Sequence, residues 1–110
     1  MRLEKKMNEY DRRQYNLMKK CLHGFEIGNV DIRVLINSLR SLTNALQNPN
    51  GEWKRKFMHE WWTLEEIYSI ASSREQSYLS KADSNDIYEA IDKMKQLLNE
   101  LTQQVSQIKE

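Results

Sequence analysis

Between Ser84 and Lys109 the apolar residues fall at 87, 91, 94, 98, 101, 105 and 108, in alternating steps of four and three. On an α-helix each such step returns to the same side, so Ile87, Ile91, Met94, Leu98, Leu101, Val105 and Ile108 form one continuous seam of heptad type. A seam of that length cannot be left in water. It requires an apolar surface on other helices or on a partner, and this constrains the fold more than any other stretch of the chain.

The rest of the sequence offers that surface. With 110 residues there is room for one small domain around one core. The charged fraction of 30%, with 1 Pro and 3 Gly, is that of a helical protein and gives a sheet little to draw on. A first helix is predicted from about Leu3 to Leu22, with Gly24 and Gly28 ending it. Asn29 or Asp31 can cap a second, whose buried stripe is Ile32, Leu35, Ile36, Leu39, Leu42 and Leu46. The segment Gln47-Asn48-Pro49-Asn50-Gly51 stops it.

From Glu52 a third stripe runs through Trp53, Phe57, Trp61, Leu64, Tyr68 and Ala71. Thr63 and Glu66 match a capping box and offer a break near residue 62, but the stripe keeps its phase across Thr63, which favours one continuous or kinked helix. Residues 72–84 read as a polar turn pinned by Tyr78 and Leu79, with Ser84 or Asn85 capping helix four. The predicted architecture is a single all-α domain over residues 1–110, an antiparallel four-helix bundle with a long C-terminal helix. At 1.5 Å per residue the last helix would reach about 39 Å and the second about 27 Å, so the surplus must pair, self-associate or fray.

The N-terminal residues lack the apolar core of a signal peptide and no run approaches a membrane span, which predicts a cytoplasmic protein. Cys21, the single cysteine, cannot form an internal disulfide and reads as a buried thiol beside Leu17 and Leu22.

The net charge of +1 hides an asymmetry. Residues 1–24 carry seven bases and three acids, whereas residues 60–92 hold eight acids (Glu60, Glu65, Glu66, Glu75, Asp83, Asp86, Glu89 and Asp92) and two bases (Arg74 and Lys81), a net −6. Such a span repels nucleic acid and steers a basic protein toward it. The plainer alternative is a solvated helical face with no partner.

Catalytic patterns are sparse. His59-Glu60-Trp61-Trp62-Thr63 starts like a zinc-protease motif but has threonine where the second histidine must be, and Cys21 with His23 would fill only half of a zinc coordination sphere. His59 and Glu66 could exchange a proton, although a surface pair is the ordinary outcome at that spacing. No glycine-rich phosphate loop or nucleophile elbow is present. The expectation is a non-enzymatic protein without metal or cofactor. Arg12, Arg13, Lys19 and Lys20 raise nucleic-acid binding as an alternative, but Glu9 and Asp11 interleave with them and the pI near 7.8 is well below a nucleic-acid-binding footprint.

Trp61 and Trp62 are consecutive and point about 100° apart on a helix, so burial of both needs a wide covered arc. Trp61 belongs to the core stripe, and the exposure of Trp62 is left open. An exposed Trp62 beside Glu60, Glu65 and Glu66 would suit an interface anchor.

The run Ile36-Asn37-Ser38-Leu39-Arg40-Ser41-Leu42-Thr43-Asn44-Ala45-Leu46, followed by Glu52-Trp53 and by Trp61-Trp62-Thr63-Leu64-Glu65-Glu66-Ile67-Tyr68, resembles a group of small all-α bacterial proteins, some of them immunity proteins of contact-dependent inhibition and related polymorphic toxin systems. The likeness covers roughly residues 30–100 and rests on core and capping positions, so it speaks to fold and transfers no functional residue. What it implies is a protein that neutralises a cognate toxin, often a nuclease with a basic cleft. The acidic span would then supply the contact through Glu60, Glu65, Glu66, Asp83, Asp86 and Glu89, with Trp62 or Tyr78 as apolar anchor. The competing expectation is a scaffold that self-associates, as a homodimer, through helix four.

Overall fold

A computed structural model describes residues 7–73 and 79–108, with the backbone alone for 102–108. Four helices follow one another: α1 (Glu9–Glu26), α2 (Ile32–Ala45), α3 (Gly51–Ser72) and α4 (Lys81–Ile108). Each packs on its neighbour in sequence and α1 also packs on α4, which closes an all-α four-helix bundle. No strand occurs among the described residues.

Each helix start is fixed by a short polar side chain that takes an otherwise orphaned backbone N–H. Asn8 accepts from the Asp11 amide at 2.7 Å, Asp31 from Val34 at 2.9 Å, and Asn50 from Trp53 at 2.9 Å. Of the two candidate caps for α2, Asp31 is the one used. At α4 the cap is reciprocal: Ser80 Oγ accepts from the Asp83 amide at 3.1 Å, and the Asp83 carboxylate accepts from the Ser80 amide at 3.0 Å. The predicted cap at Ser84 or Asn85 is therefore corrected. Ser80-Lys81-Ala82-Asp83 starts α4 one turn earlier, and its 28 residues make it twice as long as the 14-residue α2.

α1 runs four residues beyond Leu22, through Gly24. Gly24 is buried, and a Cβ placed there would lie 2.7 Å from Val30 Cγ2, so this glycine serves a close approach of the loop to the helix. The chain turns at Gly28 instead, whose φ of +87° is a conformation that side chains with a Cβ rarely adopt. α2 is shorter than predicted because Leu46 leaves the helix with ψ 136°. α3 is a single helix. Thr63 does not cap a second one, since its hydroxyl donates back to the His59 carbonyl at 3.3 Å, as an interior threonine does.

The core joins Tyr15, Met18 and Leu22 of α1, Leu35, Ile36 and Leu39 of α2, Trp53, Phe57, Trp61 and Leu64 of α3, and Ile87, Ile91, Met94 and Leu98 of α4. Two indole N–H groups lock the packing. Trp53 Nε1 donates to the Leu97 carbonyl of α4 at 2.9 Å, and Trp61 Nε1 donates to the Ile36 carbonyl of α2 at 2.8 Å. Satisfying both lets the two large rings be buried without an orphaned donor. Trp53 also stacks on Phe57 and meets Tyr15 edge-on, at centroid distances of 4.8 and 5.1 Å.

Candidate protein-binding surface

α3 lies between α2 and α4, and the 100° step of a helix assigns its exposed side chains to two edges. The edge toward α2 is marked by the Trp61–Ile36 hydrogen bond and by the Arg40 guanidinium, which sits 5.7 Å over the Trp61 ring. The edge toward α4 is marked by a small cleft that Glu52, Trp53 and Lys56 share with Leu97, Glu100 and Leu101. Stepping along the helix from these markers, Met58, Trp62, Glu65 and Ser69 follow the α2 edge, while Glu60, Thr63, Ile67 and Ile70 follow the α4 edge. Glu66 points outward between them.

The acids grouped together by sequence are thus divided. Glu60 and Glu65 are both half-buried but point about 140° apart. Glu65 accepts from Ser69 Oγ at 3.4 Å, on the side of α2. Asp83 is engaged in the α4 cap. Asp86 and Glu89 are exposed, one turn apart on the outer side of α4. Glu66 projects outward from α3 and the half-buried Glu60 lies at its α4 edge, about 120° around the helix, so the α3–α4 side of the bundle carries these two acids with Asp86, Glu89 and, one turn beyond Glu89, Lys93. Among the described residues, none of these four acids forms an ion pair, whereas Lys56 pairs with Glu52 and Lys95 with Glu26. Tyr78 lies outside the described residues.

Trp62 is 61% exposed, whereas Trp61 beside it is 4% exposed, and the two rings meet edge-on at 5.0 Å. The exposed indole lies on the α2 edge, with Arg33 and Arg40 across the helix pair and with Glu65 and Glu66 one turn along α3. On α2, Arg33, Asn37, Arg40 and Asn44 are all exposed at spacings of four, three and four, which makes one polar stripe. The apolar periodicity of α2 does not reveal this stripe; the four-three-four spacing of its Arg and Asn residues is the sequence signal for it. On the α4 edge the exposed apolar residue is Ile70, at 51%.

Elsewhere a shallow, largely apolar trough of about 510 Å³ runs between α1 and α2, lined by Leu17, Cys21, Ser38 and Leu42 among others. Cys21 is half-buried there. Burial pushes its thiol pKa up, partly offset by a hydrogen bond with Ser38, which leaves little thiolate for chemistry at neutral pH. No group of three His, Cys, Asp or Glu side chains suited to a metal occurs among the described residues. No described helix is long and apolar enough to cross a membrane.

Comparison with known proteins gives no match to a family model, to a curated protein or to a solved structure.

Proposed function

We propose that this protein is an immunity-type inhibitor that binds a basic toxin domain, most plainly a nuclease, through the outer surface of α3 and α4. The observation that carries the reading is the set of carboxylates of Glu60, Glu66, Asp86 and Glu89 on two adjoining rigid helices, none of them ion-paired among the described residues, with Ile70 exposed among them. A basic nuclease cleft is built to hold phosphates. Carboxylates held at fixed spacing on helices compete for the same cations, speed encounter through long-range attraction and cover the cleft sterically. No bond is made or broken in this role, so no catalytic group is required of the inhibitor.

The test is protection of cells that produce the cognate toxin. Replacing Glu66, Asp86 and Glu89 together with lysine is expected to abolish protection while helicity and unfolding midpoint stay near wild type. Full protection by that variant would refute the acidic-surface mechanism.

Self-association through the heptad seam of α4 fits less well. Ile87, Ile91, Met94 and Leu98 are all buried inside the protein's own core, at 1% exposure or less, and are not offered to a second copy. For the same reason Leu98→Asp would unfold the bundle and is not a probe of dimer formation.

A further inference from the structure

In sequence Glu9 and Asp11 interleave with the bases of α1, but the fold takes Asp11 off the surface. Asp11 is 1% exposed, and its two carboxylate oxygens accept the Gln47 and Asn48 amides of the α2–α3 turn. At 100° per residue Arg12, Asn16, Lys19 and His23 line the flank of α1 toward α4, in steps of four, three and four, while Arg13 and Lys20 stand about 100° further out. All are exposed except Lys19, which is half-buried. Two small clefts between α1 and α4 share Lys19 and join this flank to α4. Arg12 and Asn16 line one of them over Leu98 and Leu101, and His23 lines the other with Lys95 and Asn99. Three acids are near: Glu26 pairs with Lys95 at 2.9 Å, Asp92 of α4 accepts from Gln96 at 3.0 Å, and Glu9 lies one turn before Arg12 and Arg13. Arg12, Arg13 and Lys20 form no ion pair among the described residues.

We propose that this surface of α1 binds the phosphate backbone of double-stranded nucleic acid, without reading its sequence. Arg12, Arg13, Lys19 and Lys20 stand against Glu9 along about 16 Å of helix between Arg12 and His23, and a DNA duplex offers one charge per about 1.7 Å, or about nine over that length. Asn16 and Asn99 add side-chain donors for phosphate oxygens. The exposed side chains here are all polar. Leu17, the exposed apolar residue of α1, lies beyond Arg13 and Lys20 on the α2 side. Tyr88, the nearest exposed ring on α4, is two turns from Lys95 and packs against Phe25. A protein or a membrane would need an apolar centre, and a single strand would need rings for its bases to stack on, whereas a duplex backbone needs only cations and donors. The pI near 7.8 does not oppose this, because acids of the chain are collected elsewhere: Glu60 and Glu66 belong to α3, which does not pack on α1. Duplex binding through α1 is independent of toxin binding through α3 and α4.

Fluorescence anisotropy of labelled nucleic acids, titrated with the full chain over a salt series, tests this. Duplex DNA or duplex RNA of mixed sequence should bind with a Kd of about 10⁻⁴ M or tighter at about 50 mM salt, the tighter of the two naming the source. On duplex DNA the log of the association constant should fall against log salt with a slope of about −3.6, as for four phosphates. The variant Arg12→Gln, Arg13→Gln, Lys20→Gln should keep its helicity, bind about tenfold or more weaker at about 50 mM salt, and show a slope of about −0.9. Arg33→Gln with Arg40→Gln, which removes two exposed arginines of α2, should bind as wild type does. No binding to either duplex overturns the proposal, as do a single strand held as tightly as the duplex, binding that salt does not weaken, a folded α1 variant that binds like wild type, or loss of binding in the α2 variant instead. The salt slope and strand preference of the wild type decide the matter even if the α1 variant fails to fold.

Discussion

The Asp11 carboxylate in the first turns of α1 holds Gln47, and with it Asn48, by accepting their backbone N–H groups at 2.8 Å each. Asp11 is 1% exposed, so a charge has been taken out of water to tie the start of α1 to the α2–α3 turn. Hydrogen bonds to a charged acceptor are worth about 1.5–3 kcal/mol, and leaving their donors unmet adds to the loss. Asp11→Ala is expected to cost about 3 kcal/mol in urea unfolding. Asp11→Asn, which keeps one acceptor, should lose about half as much. Equal costs for the two would show that the carboxylate's shape matters more than its two acceptors.

Trp61 and Trp62 should separate stability from binding. Trp61→Phe removes the bond to the Ile36 carbonyl inside the core and is expected to destabilise by about 1–3 kcal/mol. Trp62→Ala changes an exposed ring and should stay within about 0.5 kcal/mol of wild type in stability. Chemical denaturation of both variants checks the contrast.

Gly24→Ala is expected to destabilise by about 1–2 kcal/mol despite alanine's better helix propensity, because the new methyl would meet the stiff Val30 side chain at 2.7 Å. In a Val30→Ala background the same change should become neutral or favourable. The double-mutant cycle of unfolding free energies measures that coupling.

Tyr15 makes alkaline stability predictable in sign. Burial, and secondarily the Asp11 charge, raise its pKa from 10.0 to about 12 in the folded protein. The folded state therefore holds a proton that the unfolded state releases first, so the stabilisation is complete below about pH 10 and is lost as pH rises toward 12. Tyr15→Phe should flatten the fall in unfolding free energy over that range.

Much of this arrangement could be read from the chain because burial is periodic. The seam at 87, 91, 94 and 98 is buried, and the α2 positions 35, 36 and 39 and the α3 positions 53, 57, 61 and 64 point inward as their spacing requires. What escaped was decided by contacts distant in sequence or by competing local signals. Gly24 carries the same one-letter signal as a helix stop, yet its role is set by Val30 packing against it. Ser80 and Asp83 lie in a polar run that reads as loop, although their spacing is that of a capping box. The acidic run is contiguous in sequence only. A helix turns about 100° per residue, so Glu65 went to the side of α2 while Glu66, Asp86 and Glu89 faced outward together. That division makes a sharp prediction in its own right: Glu65→Lys should weaken protection far less than Glu66→Lys in the same cellular assay.

On the proposed reading, the outer acidic surface of α3 and α4 holds a basic protein partner. Affinity capture from the protein's own cells, run in parallel with wild type and with the Glu66→Lys, Asp86→Lys, Glu89→Lys variant and followed by quantitative mass identification, tests it most directly. One basic polypeptide should be recovered in equal amount with wild type and be missing from the folded variant. Equal recovery with both, or no stoichiometric partner with wild type, would contradict it.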